Sequence, residues 1–235
     1  MKSKRKTELY FEEIGEQFDQ WMSMYDVRQR IKLIMKSLPP NSKDMSCLEV
    51  GCGSGKISES VVSMVKNLTV VDISEKLAKG VGKSLQVAWG EEDACHLSMA
   101  NNSFDIVISS ECIEHTPNPR RALSEMVRVL KPNGTLVVTS PNKMWYPVLW
   151  LSMVLKIRRF EGNENWLFPW SAAKFLKKHN MQVIRCGGCH LFPWQIPLAK
   201  KILPLFDRCD KVLYPFMINY GICGRKLESQ QSTTE

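Results

Sequence analysis

Between Cys47 and Gly55 the chain reads Cys-Leu-Glu-Val-Gly-Cys-Gly-Ser-Gly, a short apolar run followed by glycines at alternate positions. Apolar residues then recur at helical spacing from Ile57 to Val65. This pattern predicts a buried strand, a tight turn and the start of a helix. Glycines allow positive φ and let the backbone approach a ligand closely, so we expect a nucleotide-like ligand at this turn.

The spacing of the glycines narrows the class of ligand. Enzymes that bind a nicotinamide dinucleotide carry the fingerprint G-x-G-x-x-G. Here the third glycine, Gly55, comes one residue earlier than in that fingerprint, which argues against a nicotinamide-dependent oxidoreductase. Seventeen residues after Gly55, the run Leu68-Thr-Val-Val-Asp72 predicts a second strand that ends in an acid suited to ribose hydroxyls. With Glu49 ahead of the glycines, the segment resembles the first motif, E/D-x-G-x-G-x-G, of the class I S-adenosylmethionine (SAM)-dependent methyltransferases.

Strands and helices alternate along the chain, which predicts an α/β fold with a doubly wound parallel sheet. The stretch Asn102-Ser-Phe-Asp-Ile-Val-Ile-Ser-Ser110 is similar to the N-S-F-D-x-V-x-S signature of the same family. The resemblance implies its Rossmann-like, seven-stranded sheet with an antiparallel last strand. We expect strands at 47–50, 68–72, 85–89, 102–110, 135–140, 181–186 and 219–225, and helices after Gly55 and at 75–83, 119–130 and 169–178.

The resemblance also implies which residues bind the cofactor, SAM. Glu49 and the glycines would hold its methionine end, Asp72 its ribose, and Asp93 with the backbone of Ala94 its adenine. The side chains after the fourth strand would border its sulfonium. The cofactor-binding residues expected on this basis are Glu49, Gly51, Gly53, Gly55, Asp72, Ile73, Asp93, Ala94 and Ser110.

The segment Glu111-Cys-Ile-Glu114-His115 carries the candidate catalytic groups. A hydroxyl acceptor must lose its proton, and His115, with an ordinary pKa of about 6.5, is the expected base, with Glu111 as its catalytic neighbour. The segment also resembles the E-x-x-E-H segment of ubiquinone-biosynthesis O-methyltransferases and small-RNA 2′-O-methyltransferases, in which these residues can hold a divalent metal. A metal on Glu111, Glu114 and His115 is therefore an alternative, not the favoured one. A third possibility is that these residues have a purely structural role or position the acceptor.

We expect one methyltransferase domain over 1–235. Its parts would be cap helices at 1–40, a cofactor-binding core at 41–142, an acceptor and lid region with strand six at 143–215, and the last strand at 216–227. In the resembled family such helices often cap the cofactor, which makes Tyr10, Phe18, Trp21 and Tyr25 candidates for a lid. Packing in the core is the alternative. Apolar stretches at 144–155 and 191–206 allow three interpretations: a packed lid, the wall of an apolar acceptor pocket, or a contact with a membrane surface. The first stretch is too short to span a bilayer.

Composition favours a cytoplasmic protein, either free or peripheral at a membrane. The net charge is +8, the basic start lacks an apolar signal region, and the eight cysteines are scattered, with only Cys186 and Cys189 spaced like zinc ligands. The sequence predicts SAM-dependent methylation of a small, apolar or lipid-like acceptor, with oxygen favoured and no nucleic acid expected. The alternatives are an RNA methyltransferase and a non-catalytic partner protein with the same fold.

Overall fold

A computed structural model of the chain describes residues 23–154 and 163–228. The strands are β1 Ser46–Val50, β2 Asn67–Asp72, β3 Ala88–Glu91, β4 Phe104–Ser110, β5 Leu130–Pro141, β6 Met181–Cys189 and β7 Asn219–Lys226. The α-helices are α1 Met24–Met35, α2 Lys56–Val61, α3 Glu75–Leu85, α4 Pro119–Val129, α5 Tyr146–Val154, α6 Pro169–Lys178, α7 Ala199–Asp207 and α8 Asp210–Leu213. Short 3-10 turns occur at Ser42–Asp44, Val62–Met64, Ile113–His115 and Lys143–Trp145.

The strands form one seven-stranded sheet in the order β3-β2-β1-β4-β5-β7-β6. Neighbouring strands from β3 to β5 pair in parallel, whereas β7 pairs antiparallel with both β5 and β6. The predicted α/β fold, its Rossmann-like sheet and its antiparallel last strand are confirmed. One edge of the sheet therefore collects the carboxyl ends of six strands and the first residue of β7, and we call it the carboxyl edge.

Both faces of the sheet are covered, which is why the residues of β1 from Cys47 to Val50 are all buried. Leu48 and Val50 pack in a core that includes Leu123 of α4 and Leu176 of α6. Cys47 points to the opposite face, into a core with residues of α1, α2 and α3. Burying each large side chain contributes about 1.5–3 kcal/mol, so the two cores fix β1, and hence the glycine turn after it, in the middle of the sheet.

Three strands begin two or more residues from their predicted starts, and one of them is β4, which begins at Phe104 and not at Asn102. The third strand begins at Ala88 and not at Leu85, because Leu85 is the last residue of α3 and Gln86 has a φ of 57°. The Val87 N–H then closes the helix end on the Gly82 carbonyl at 3.0 Å. Strand β5 begins at Leu130, which the sequence assigned to the preceding helix, because Leu130 pairs with Phe104 of β4.

Two further segments differ in length from the prediction. The helix after the glycine turn ends at Val61 and continues as a 3-10 turn, so Val65 lies beyond it. Strand β6 extends to Cys189, three residues past the predicted end, because its pairing with β7 continues to Asn219. This extension carries the end of β6 to the carboxyl edge.

The apolar stretches form helices that leave many side chains exposed. In α5, Val148, Trp150, Leu151 and Val154 are each about half exposed, and in α7 the same holds for Ile202 and Leu205. In the described ranges, no helix combines the length and the hydropathy required to cross a membrane. Of the lid candidates, Tyr25 lies in α1, while Tyr10, Phe18 and Trp21 lie outside the described residues.

Candidate functional site

The glycine turn follows β1 at the centre of the carboxyl edge. Gly51, Gly53 and Gly55 have φ values of 78°, 52° and 84°, in the left-handed region that favours glycine. A Cβ on Gly51 would lie 2.4 Å from Cys112 Sγ. The amides of Gly51 and Cys52 both donate to the Val71 carbonyl, which ties the turn to the end of β2. The glycines at these positions therefore allow a backbone conformation that residues with a side chain would disturb.

Asp72 ends β2 beside this turn. Its two carboxylate oxygens accept hydrogen bonds from the Gly53 N–H at 2.9 Å and the Ser74 N–H at 3.0 Å. A carboxylate has about four acceptor positions, so these two bonds and a third from the Ile73 amide leave one position for a ribose hydroxyl. Burial raises the pKa of Asp72, and its hydrogen bonds from backbone amides act in the opposite direction.

Glu49 lies beneath the turn, not on its surface. Only 1% of its surface is exposed, and its Oε2 accepts the Ser58 hydroxyl at 2.7 Å. Burial raises the pKa of the Glu49 carboxyl to about 8, which the Ser58 hydrogen bond lowers only in part. The contact made by Glu49 in this structure therefore joins β1 to the first turn of α2.

Asp93 and Ala94 form a turn just after β3. Asp93 Oδ1 accepts the Cys95 N–H at 2.9 Å, and Ala94 is buried. The preceding Glu92 donates its N–H to the Asp72 carbonyl at 2.9 Å. The predicted adenine-binding and ribose-binding residues are thus adjacent at the carboxyl edge.

The end of β4 carries Ser110 and Glu111. Glu111 has a φ of 51°, which is unusual for a residue with a side chain, and its carboxylate accepts hydrogen bonds from Thr139 at 3.2 Å and Asn219 at 2.7 Å. Burial raises the pKa of Glu111, while the nearby Arg30 guanidinium acts to lower it. Strained backbone held in place by side-chain bonds is typical of functional sites.

Glu114 and His115 are anchored to the segment that follows residue 162. Glu114 is buried and accepts the Ser140 hydroxyl at 3.0 Å, while its backbone carbonyl accepts the Asn165 N–H. His115 Nδ1 lies 3.1 Å from the Asn163 carbonyl, and Asn163 Nδ2 donates back to the His115 carbonyl at 3.2 Å. The predicted base thus takes part in the packing of an internal segment.

The alternative metal set is not drawn together in the part of the chain that the structure describes. The two carboxylate oxygens of Glu111 accept hydrogen bonds from Thr139 and Asn219, and His115 Nε2 lies 3.9 Å from Glu114 Oε1. The described group whose ligand atoms all lie within 4.8 Å of one another is instead Asp26, Cys189 and His190.

The sequence analysis missed a buried charged cluster at the same edge. Asp26 and Arg30 of α1 form an ion pair at 2.9 Å, and His190 Nε2 lies 3.0 Å from Asp26 Oδ1. His190 directly follows β6, so a polar residue at the end of a parallel strand was the available signal. That signal was hidden because β6 was predicted to end at Cys186.

A cleft of about 520 Å³ lies beside the His115 segment and is bordered by 117–120, 164–167, Lys143 and Tyr146. None of the expected cofactor-binding residues lines it. It is therefore distinct from the surface formed by the glycine turn and Asp72.

Comparison with known proteins agrees with this geometry. Residues 48–138 match the sequence model of a protein family described as a methyltransferase domain. The ubiquinone biosynthesis O-methyltransferase of Coxiella burnetii is 30% identical over 175 residues, which cover 70% of this chain and 74% of that protein. The corresponding enzyme of Colwellia psychrerythraea is 26% identical over 199 residues, covering 78% and 75%.

A solved structure shows the same fold. The N-methyltransferase NodS of Bradyrhizobium japonicum, in complex with S-adenosyl-L-homocysteine (SAH), superposes with a TM-score of 0.68 at 18% identity, covering 95% of this chain and 100% of that one. The chain belongs to the family of SAM-dependent methyltransferases. It is an enzyme of this class, and its cofactor is SAM.

The residues of the glycine turn fit this cofactor. The Ser54 hydroxyl, which lies inside the turn, is buried and has no hydrogen-bond partner among residues 23–154 and 163–228. Leaving such a group without a partner costs about 1–3 kcal/mol, so a bound polar group would stabilise it. Together with the acceptor capacity of Asp72, this gives the turn both a donor and an acceptor for a nucleoside ligand.

Proposed function

We propose that the protein transfers the methyl group of SAM to a hydroxyl oxygen of a small, apolar acceptor. The observation that carries this proposal is the 30% identity to an enzyme named as an O-methyltransferase of ubiquinone biosynthesis, over 74% of that enzyme. Aromatic side chains at the carboxyl edge support an apolar acceptor, because Tyr25 and Trp194 flank His190 with ring centroids 5.3 and 4.6 Å away.

In this proposal different residues of the carboxyl edge bind different parts of the cofactor. Gly51, Gly53 and Gly55 let the backbone approach its methionine end, with Glu49 supporting the turn from below. Asp72, followed by Ile73, receives the ribose, and Asp93 with Ala94 receives the adenine. Ser110 borders the reacting methyl group. The proposal includes a single domain over the whole chain, with 143–215 forming the acceptor region.

SAM supplies a methyl group already activated by positive sulfur, so the protein acts mainly by alignment and by proton removal. Positioning of two reactants can contribute about 7–11 kcal/mol to lowering a barrier. The buried edge formed by Ser110, Glu111 and the aromatic side chains would hold an acceptor oxygen in line while excluding water. A base must also accept the hydroxyl proton.

The test is an acceptor screen that measures SAH release from SAM by the full chain. We expect SAH release when a catechol or another phenol is the acceptor, and faster release when the phenol carries apolar substituents. Substrates of NADH-dependent oxidoreductases should give no SAH. Primary amines and short RNAs form the contrasting arms. Turnover confined to amines or RNA would contradict the proposed oxygen acceptor, and SAM binding without turnover of any acceptor would favour the non-catalytic alternative.

We also propose that α5 contacts the anionic cytoplasmic surface of a membrane. A lipid-like acceptor would enter the active site from that surface. Trp150 is 57% exposed and Leu151 50% exposed, and the chain as a whole carries a net charge of +8. Exposed aromatic and aliphatic side chains on a basic protein favour interfacial binding.

Co-sedimentation with vesicles containing phosphatidylserine tests this contact. The double variant Trp150→Ser, Leu151→Ser should lose most of the binding, whereas Trp170→Ser, which removes an equally exposed aromatic from α6, should keep it. Equal binding by all three proteins would show that α5 does not contact the membrane.

A further inference from the structure

Asp26 and His190 form a buried acid–imidazole pair at the carboxyl edge. His190 is fully buried, and its Nε2 lies 3.0 Å from Asp26 Oδ1. The other oxygen of Asp26 accepts bonds from Arg30 Nε at 3.0 Å and Nη2 at 2.9 Å. Asp26 is thus held between a cation and an imidazole that are far apart from each other in the sequence.

The charge state of Asp26 fixes the tautomer of His190. Burial acts to raise the pKa of Asp26, but the His190 hydrogen bond and the Arg30 guanidinium outweigh it and hold that pKa below its ordinary value. Asp26 is therefore an acceptor, and His190 Nε2 must be the donor. This leaves the lone pair of a neutral imidazole on Nδ1.

His190 Nδ1 is buried and has no hydrogen-bond partner in the described parts of the chain. A buried acceptor without a partner costs about 1–3 kcal/mol. The strain adds to this cost, since His190 has a φ of 63° and is held there by a bond from its N–H to Asp207 Oδ1 at 2.9 Å. An unpaired lone pair in a strained, enclosed position indicates a place for a ligand that donates a hydrogen bond.

The pair is connected to the cofactor residues. Arg30 Nη1 donates to the Ser110 hydroxyl at 3.1 Å, and Ser110 lies at the end of β4 with Glu111 next to it. Two side chains, Arg30 and Asp26, therefore link His190 to the expected border of the reacting methyl group. The Tyr25 and Trp194 rings lie beside His190 and give it apolar neighbours.

We propose that His190, oriented by Asp26, is the general base that accepts the proton of the acceptor hydroxyl. This inference rests on the proposed function and names the catalytic residue within it. The O–H proton passes to His190 Nδ1 while the oxygen forms a bond to the methyl carbon, the sulfur–methyl bond breaks, and the sulfur keeps the electron pair as neutral SAH. The imidazolium, stabilised by Asp26, then releases its proton to water.

Two alternatives fit the structure less well. His115, the base expected from the sequence, donates its Nδ1–H to the Asn163 carbonyl, and its remaining nitrogen, Nε2, lies 3.9 Å from Glu114 Oε1 in a segment packed against 163–165. A metal ion on Asp26, Cys189 and His190 would bring a second cation beside Arg30, which already pairs with Asp26. Like charges in a buried site repel strongly, and a divalent ion carries twice the charge of the imidazolium, so proton acceptance suits the cluster better than metal binding.

The experiment uses a chromophoric acceptor, 4-nitrocatechol, with the full chain saturated with SAH. At a pH well below the pKa of the free phenol, we expect the wild-type protein to bind it as the yellow phenolate. His190→Gln should bind it in the neutral form, and Asp26→Asn should give a smaller phenolate signal. His179→Gln, at the end of α6, is the matched control and should behave as the wild type.

Turnover supplies a second measurement. His190→Gln should lower SAH release with catechol by about 10²–10⁴-fold, the usual effect of removing a general base, with SAM affinity unchanged. The loss should be smaller with 4-nitrocatechol, because a more acidic hydroxyl needs less help. A variant that merely misfolds would lose SAM binding and would not distinguish the two acceptors.

Three results would overturn the inference. These are no bound phenolate in the wild type, loss of phenolate in His115→Gln with retention in His190→Gln, or stoichiometric zinc that His190→Gln releases. The proposed function fails separately, if no hydroxyl acceptor gives SAH at all. Turnover of phenols that is indifferent to His190 would leave the proposed function intact and refute only the base.

Discussion

Asp72 illustrates how one side chain serves both the shape of the site and its ligand. It accepts hydrogen bonds from the Gly53 and Ser74 amides and keeps acceptor capacity for the ribose that we expect it to bind. Asp72→Ala should weaken SAM binding by about 10- to 150-fold, since hydrogen bonds to a charged group contribute about 1.5–3 kcal/mol. Calorimetric titration with SAM measures this directly.

The control for Asp72 is a carboxylate on the same chain that has no place in the site. Asp44 is exposed in the 3-10 turn before β1, and Asp44→Ala should bind SAM as the wild type does. Unchanged affinity in Asp72→Ala would show that the ribose is held elsewhere.

Glu49 should make the stability of the protein depend on pH. Its pKa is raised to about 8 in the folded state, against an ordinary value of 4.5, so the folded form favours the protonated acid. The stability that this group contributes is present in full below about pH 4.5 and is lost as the pH rises through 8. Glu49→Gln, which stays neutral, should therefore gain stability relative to the wild type between pH 6 and pH 9.

Denaturant unfolding at several pH values measures that difference. Glu59→Gln is the matched control, because Glu59 lies in α2, the helix that Glu49 contacts through Ser58, but has its side chain 54% exposed. A Glu49→Gln protein whose stability runs parallel to the wild type from pH 6 to pH 9 would show that Glu49 is ionised in the fold.

Single residues also show what the sequence could and could not predict. The glycines and Asp72 were readable because a short motif requires them at fixed spacing. His190 was not, because its partner Asp26 is 164 positions away and only the packing of α1 against the end of β6 brings them together. A pattern along the chain carries no information about such a pair.

At the scale of elements, the glycine turn is in close contact with the segment after β4. Gly51→Ala would place a Cβ 2.4 Å from Cys112 Sγ at a φ of 78°. We expect a loss of at least about 2 kcal/mol in the free energy of unfolding, from left-handed strain together with overpacking. Thermal or denaturant unfolding provides the measurement.

Gly80 in α3 offers the opposite case. A Cβ there meets nothing within 4 Å, and the residue is helical, so Gly80→Ala should stabilise the protein by about 0.4–1 kcal/mol. Similar destabilisation in both variants would mean that the turn has no special requirement for glycine.

Boundaries of elements were predicted less well than their existence. The strands around β1 were recognisable from apolar runs, but β3 and β5 begin where a helix end and a pairing partner place them. An apolar residue such as Leu130 suits a buried helix as well as a buried strand, and only its pairing with Phe104 places it in β5. Local patterns do not contain that partner.

At the scale of the whole molecule, ligand binding should be visible as a gain in stability. A ligand that binds only the folded state at about 100 times its Kd adds about 2.7 kcal/mol, which corresponds to a rise in Tm of about 5–10 °C for a chain of this size. SAM and SAH should both give such a shift, and NAD should give none. A shift with NAD alone would contradict the assignment of the cofactor.

The class of sheet was predictable because alternating strands and helices allow few topologies, and the family resemblance carried by the glycine motif implies seven strands with an antiparallel last strand. The acceptor was not predictable in the same way. The residues that would surround it come from α1, the end of β6 and the apolar helices, and no short motif unites them.

The position of β7 has a consequence for how the chain is made. It inserts between β5 and β6 although it is the last strand, and Asn219 at its beginning bonds to Glu111 at 2.7 Å. During synthesis, β5 therefore remains an open strand edge until residues 219–226 have left the ribosome. A nascent chain stalled before this point would hold an unfinished sheet and would be a natural client for chaperones.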